Sequence, residues 1–225
     1  MNGSARYRSA LIAASVLAAA GIAHAEVTVA LTSSRQLVTF DTAMPGSVLF
    51  TSPAISGLSA GDSIVDIDYY PVNNMLHGIG ASGTLYRIDR MSGVATMDAV
   101  PQMSMGVVQR MDFNPAADRL RVLAANDANF RITPSVGTGG SNGGNIGLVT
   151  PDGTFAYAGG SPNPNLVAAA YTNNFDGTAS TTLYTIDADL DALVVHSGGP
   201  QFSMLAQVGA LGVNVGQDVG FDVSP

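Results

Sequence analysis

The chain has 225 residues, 46% of them hydrophobic, with 26 Gly, no Cys and a formal net charge of −8. The lack of cysteine excludes disulfides, thiol nucleophiles and thiolate metal sites, and the acidic excess excludes an electrostatic surface for nucleic acid or anionic lipid. No Lys occurs and Glu26 is the single Glu, so the best helix-surface residues are missing while Gly, Asp, Asn, Ser and Thr abound; strands and tight turns are expected.

Residues 1–25 read as a cleaved secretory signal peptide. Arg6 and Arg8 precede the apolar run ALIAASVLAAAGI, and Ala23-His24-Ala25 is a small-x-small cleavage site. The run is too short for a membrane span. A periplasmic or secreted protein is expected, with one domain over 26–225 and no transmembrane segment after cleavage.

Strands are predicted at 27–31, 36–40 and from 47 to 50. After a turn-rich connection at 57–62 comes a four-strand meander at 64–70, 75–80, 84–89 and 94–100. Along 64–70 the alternation puts Val65, Ile67 and Tyr69 on one face and Asp66, Asp68 and Tyr70 on the other. A second set follows at 107–114, 119–124 and 129–133. The stretch GTGGSNGG (137–144) is a low-complexity loop. Strands at 146–150 and 154–157 flank Pro151-Asp152-Gly153, a hairpin signal. The last strands are expected at 166–171, 182–187, 192–196 and 202–208.

These strands repeat. DYYPVNNMLHGIGASGTLYRID (68–89) aligns without a gap with DFNPAADRLRVLAANDANFRIT (112–133), 44 residues later. A period in the 40s marks a repeat architecture. The Asp-x-x-Pro of strand one returns at Asp222 to Pro225, whereas SSRQLVTFD (33–41) matches strand three, so the mature chain begins at strand two of a repeat and stops after strand one. The expected fold is all-β: a β-propeller of about four blades of four-stranded antiparallel meanders, closed by N- and C-terminal strands. A piece of a larger propeller and a β-sandwich are the alternatives.

The segments LTSSRQLVTFD (31–41), MDFNPAADRLRVLAANDANFRITP (111–134), LVAAAYTNN (166–174), TTLYTIDADLDALVVHSGG (181–199) and VGFDVSP (219–225) together resemble the bacterial exported proteins carrying domain of unknown function 4394. The resemblance implies a propeller-like β fold outside the cytoplasm. It implies no activity and no catalytic residues.

Asp68, Asp112 and Asp222 recur at one position of strand one, which lines the channel of a propeller. Three such carboxylates could hold Ca²⁺ through hard oxygen ligands; the other reading is a turn-forming Asp that accepts backbone N–H groups ahead of Pro. In the third repeat Ala170 takes the Asp position. Asp187, Asp189 and Asp191 form a second acidic set with alternate spacing. It lacks the Gly and Glu of an EF-hand, since Ala192 and Gly198 stand there, so a looser Ca²⁺ site or a solvated turn is expected.

Gly57-Leu58-Ser59-Ala60-Gly61 matches G-x-S-x-G, but a nucleophile elbow needs a strand before it and a helix after it. Arg87, Arg110, Arg119, Arg121 and Arg131 either pair with Asp between blades or form an anion-binding rim. The recurring aromatics Tyr69, Tyr86, Phe113, Phe130 and Tyr171 are expected in the core between sheets. No coherent catalytic set emerges. The expected function is a non-enzymatic binding or scaffold module for a small molecule or protein; the alternative is a metal-dependent propeller hydrolase or lactonase using the channel-facing Asp residues.

Overall fold

The computed structural model describes residues 26–135 and 145–224. The expected signal peptide, the Gly-rich loop at 137–144 and Pro225 lie outside the described residues.

The described residues form sixteen strands in four sheets, arranged as a four-bladed β-propeller. The first sheet holds β1 (Val27–Leu31), β2 (Leu37–Asp41) and β3 (Val48–Thr51). The second is the meander β4 (Ile64–Tyr70), β5 (Met75–Gly80), β6 (Leu85–Ile88) and β7 (Ala95–Ala99). The third runs β8 (Val108–Asn114), β9 (Arg119–Ala124), β10 (Ala128–Ile132) and β11 (Val149–Thr154). In the fourth, β13 (Leu166–Tyr171), β14 (Leu183–Asp187), β15 (Ala192–Ser197) and β16 (Met204–Ala210) are antiparallel, and the short β12 (Ala156–Tyr157) adds parallel to β16. No helix among the described residues is long and apolar enough to cross a membrane.

Three apolar clusters sit between neighbouring sheets, because the meanders carry apolar side chains on both faces. Leu37, Leu76, Tyr86 and Ile88 join the first sheet to the second. Tyr70, Ile79, Leu85, Phe113, Leu120 and Val122 join the second to the third, with Tyr70 stacked on Phe113 at 4.4 Å between centroids. Leu123, Tyr157, Tyr171, Leu183 and Val194 join the third to the fourth. The expectation of core aromatics holds for Tyr86, Phe113 and Tyr171, which are fully buried.

The first strands of successive sheets lie side by side: β8 is flanked by β4 on one side and β13 on the other. Each carries a bulge against its second strand at the same place, between Ile64 and Asp66, Val108 and Arg110, and Leu166 and Ala168. The bulge breaks the simple alternation expected along β4: Val65 shares its side with Tyr70, while Ile64, Ile67 and Tyr69 pack towards the first sheet. An extra residue in one strand re-aims the side chains that follow. The turns after β4 and β8 end on a left-handed residue, Asn74 (φ 52°) and Asp118 (φ 48°), which Asn and Asp tolerate better than other non-Gly residues.

The hairpin expected at Pro151-Asp152-Gly153 is not formed. β11 runs straight through it as the fourth strand of the third sheet, pairing with β10 across a bulge. Pro151 is tolerated because β11 is an edge strand and owes no N–H to a further neighbour. The buried Asp152 is held by two arginines, which outweighs the local turn preference.

The C-terminal segment 211–224 has no strand. Its Leu211, Val215, Val219 and Phe221 pack on Val167, Ala168 and Ile186 of the fourth sheet, and the Ser224 hydroxyl donates to the Glu26 carboxylate beside β1. The two ends of the described chain thus meet between the fourth and first sheets.

Candidate cation site at the propeller axis

The first strands β4 and β8 carry Asp68 and Asp112, and the strandless C-terminal segment brings Asp222 to them; each offers a carboxylate oxygen within 4.8 Å of the others. Asp68 and Asp112 are buried and Asp222 is exposed. Among the described residues no basic side chain forms an ion pair with any of the three.

Two of these carboxylates also stitch blade to blade. Asp68 accepts the backbone N–H of Phe113 at 2.8 Å, and Asp112 accepts that of Tyr171 at 3.1 Å. Asp66, two residues earlier, accepts the N–H of Met111 at 2.9 Å. Arg110 occupies the position of Asp66 in the next blade and donates its Nε–H to the Val167 carbonyl. For Asp68 and Asp112 these bonds run between blades, beyond the local turn expected of them, whereas Asp222 accepts the N–H of the adjacent Val223 at 2.7 Å. In the third blade's turn the local role belongs to Asn114, whose side-chain oxygen accepts from Ala116 and Ala117, both at 3.0 Å.

Burial raises the carboxyl groups of Asp68 and Asp112 well above the usual range, and their negative neighbours add to it: Asp222 beside Asp68, and Asp68 and Asp222 beside Asp112. Burial pushes Asp66 up to about 6. The chain packed around Asp222 raises its carboxyl, and the Glu26 carboxylate adds to the effect. Buried charges in such a group are tolerated when paired with a cation or neutralised by protons. A divalent cation with oxygen ligands suits this donor set.

The second acidic set is not brought together. Asp187 is buried, accepts the Tyr157 hydroxyl at 2.8 Å and caps the turn through the N–H groups of Asp189 and Leu190. Asp189 accepts from the Asn165 amide, and Asp191 accepts the Val215 N–H at 2.7 Å. The three carboxylates each serve a different hydrogen-bonding role.

The arginines are internal ties, not an anion-binding rim. The fully buried Arg121 binds Asp152 at 2.7 Å, the Tyr171 hydroxyl at 3.0 Å and the carbonyls of Pro200 and Gln201. Arg131 grips Asp152 with two bonds of 2.6 and 2.8 Å. Arg119 donates to the carbonyls of Arg131 and Leu148, and burial lowers its pKa to about 10. Arg87 lies 3.3 Å from Asp98.

The Ser59 N–H donates to the Tyr86 hydroxyl, and among the described residues no hydrogen bond joins Ser59 to a histidine. His77 is buried near Asp98, with Nδ1 on the Met75 carbonyl. His196 is held between Thr185 and the Phe202 carbonyl, and burial lowers its pKa to about 4.

The model of a family described as "Domain of unknown function (DUF4394)" matches residues 36–225. The chain belongs to this family. No curated protein matches the sequence. Similar solved structures include an auxiliary nutrient binding protein from Bacteroides thetaiotaomicron VPI-5482 (12% identity, TM-score 0.42, 80% of this chain and 46% of that one). A second such protein, from Bacteroides ovatus ATCC 8483, gives 13% identity and a TM-score of 0.45, again over 80% of this chain and 46% of that one. The β-propeller domain of Cps50 (Swd1) from Myceliophteria thermophila gives 12% identity and a TM-score of 0.46 over 86% of this chain and 58% of that one. The chain thus spans about half the length of these solved chains.

Sequence reasoning singled out Asp68, Asp112 and Asp222 but missed Asp66 as a fourth carboxylate of the same strand face. The signal was present: Asp66 and Asp68 alternate along one strand. It also missed the buried Arg121–Asp152–Arg131 cluster, because Asp152 reads as part of a turn.

Proposed function

We propose that this chain is an exported, non-enzymatic binding module of β-propeller type that holds a divalent cation, Ca²⁺ in the first instance, at its axis, and presents its surface to a small molecule or protein. The observation that carries the reading is the convergence of Asp68, Asp112 and Asp222 from separate parts of the chain to within 4.8 Å without a basic partner. A bound cation would relieve their mutual repulsion and tie three inner segments of the ring together. Thermal melting of residues 26–225 tests it. Calcium at about 100 times its dissociation constant would stabilise the chain by roughly 2.7 kcal/mol relative to EDTA, a rise of a few degrees. An unchanged melting temperature across millimolar Ca²⁺, Mg²⁺ and Mn²⁺ would sink the cation site and leave the carboxylates as inter-blade ties.

A further inference from the structure

Strand direction puts the β9–β10 and β14–β15 turns and the entries to β8 and β13 at one end of the ring. There, between the third and fourth sheets, lies a cleft of about 490 Å³, within the range of small-molecule pockets, roughly 300–1,000 Å³. Its lining is unusual in chemistry. Gln109, Asn126, Asn163 and Asn165 contribute carboxamides, Asp127 and Asp189 contribute carboxylates, and the remainder is one proline and one leucine.

Each carboxamide offers both donors and acceptors, and each carboxylate offers only acceptors. No Arg or aromatic ring lines the cleft, so it offers no positive charge to an anion and no face on which to stack a planar ligand. Two carboxylates repel an anion further. A molecule that satisfies such a wall must carry many groups that donate and accept at once, without negative charge. Hydroxyl groups on a neutral carbon frame fit this requirement.

The wall is also positioned. Asn165 donates to Asp189 at 2.6 Å and accepts from Gln217 at 3.3 Å. Asn163 lies beside Asp127, whose carboxyl burial pushes up and the Asn163 side chain partly brings back down. Asn126 and Asp127 both adopt left-handed backbone (φ 60° and 59°), forming the turn that presents them. Each carboxylate oxygen has lone pairs beyond those used by these bonds.

We infer that this cleft between the third and fourth blades binds a neutral polyhydroxylated ligand, a sugar or cyclic polyol, through amide and carboxylate hydrogen bonds. The inference deepens the binding-module reading and rests on it, but not on the axial cation, since the cleft shares no residue with the carboxylate cluster.

Calorimetric titration of residues 26–225 with glucose, galactose, mannose, N-acetylglucosamine and myo-inositol, each alone, tests it in EDTA and again in Ca²⁺. At least one probe is expected to bind saturably in both conditions. Asn163→Ala and Gln109→Ala, both at exposed positions, should each weaken it about tenfold, the effect of losing roughly one hydrogen bond. Glucuronate should bind more weakly than glucose. Failure of every neutral probe to bind, or binding that both substitutions leave unchanged, would overturn the inference. A calcium-dependent rise in melting temperature with no sugar binding would remove the cleft alone; sugar binding in EDTA with no calcium effect would remove the axial cation alone.

Discussion

The Asp68 carboxylate accepts the backbone N–H of Phe113 at 2.8 Å, across the boundary between two blades. The same bond recurs one blade on, from Tyr171 to Asp112 at 3.1 Å. Phe113 is the residue after Asp112, and Tyr171 the residue after Ala170, so the bond follows the repeat register. Without the acceptor, a buried N–H is left unpaired, which costs about 1–3 kcal/mol. Asp68→Ala and Asp112→Ala should each lower stability by that order in denaturant titrations. Asp112→Asn should do less harm, because its amide oxygen can still accept. Equal losses for Ala and Asn would contradict the tie.

The acid–base behaviour follows from the same carboxylates. Burial raises Asp66 to about 6 in the folded chain, against an unfolded value near 3.9. A raised carboxyl contributes stability that is full below the unfolded value and is lost as pH rises through the folded one. In EDTA, stability should therefore decline between about pH 4 and pH 6 from this group, and Asp66→Asn should flatten that decline. His196 works in the opposite sense. Burial depresses it to about 4, so its contribution is present above about pH 6.5 and is lost as pH falls towards 4. Denaturation midpoints of Asp66→Asn and of His196→Gln across this range separate the two.

Arg121, Asp152 and Arg131 form a charged cluster in the interior. Arg121 and Asp152 are almost wholly inaccessible. Removing the shared carboxylate leaves a buried guanidinium without its counter-charge, a change that costs about 3–5 kcal/mol. Asp152→Ala should be the most destabilising single change at this cluster. Asp152→Asn, which keeps the acceptor but not the charge, should fall between it and the parent chain in melting temperature.

Asp187 belongs to a hydrogen-bonded turn. Tyr157→Phe deletes the 2.8 Å hydroxyl bond to its carboxylate and should reduce stability by about 1 kcal/mol. Asp189→Asn should leave any calcium-induced rise in melting temperature intact, since its carboxylate serves the Asn165 amide instead. Loss of the calcium effect in Asp189→Asn would point back to the 187–191 turn.

The repeat phase was legible because Asp-x-x-Pro marks the same strand end at Asp68 and Asp112, and β4, β5, β9 and β13 occupy the expected residues. The approach of Asp68 and Asp112 follows from that phase once β4 and β8 lie side by side; Asp222 joins them from a segment that forms no strand. Other features depend on contacts between distant segments. Pro151-Asp152-Gly153 carries strong turn propensity, yet Arg121 and Arg131, up to 31 residues away, pull Asp152 into an extended strand. The bulges at Asp66 and Arg110 reverse side-chain parity without any Gly or Pro to announce them. The amide-lined cleft draws Gln109, Asn126, Asn163 and Asp189 from four separate segments, each of which reads alone as an ordinary polar loop.

The most direct test of the axial site is calorimetric titration of Ca²⁺ into metal-free residues 26–225, beside the Asp112→Asn and Asp222→Asn variants. One saturable site is expected in the parent chain, weakened in both variants, with Asp222→Asn folded and at least as stable as the parent in EDTA, because it removes one of three mutually repelling carboxylates. Calcium binding of unchanged affinity in both variants, or no binding by the parent chain, would contradict it.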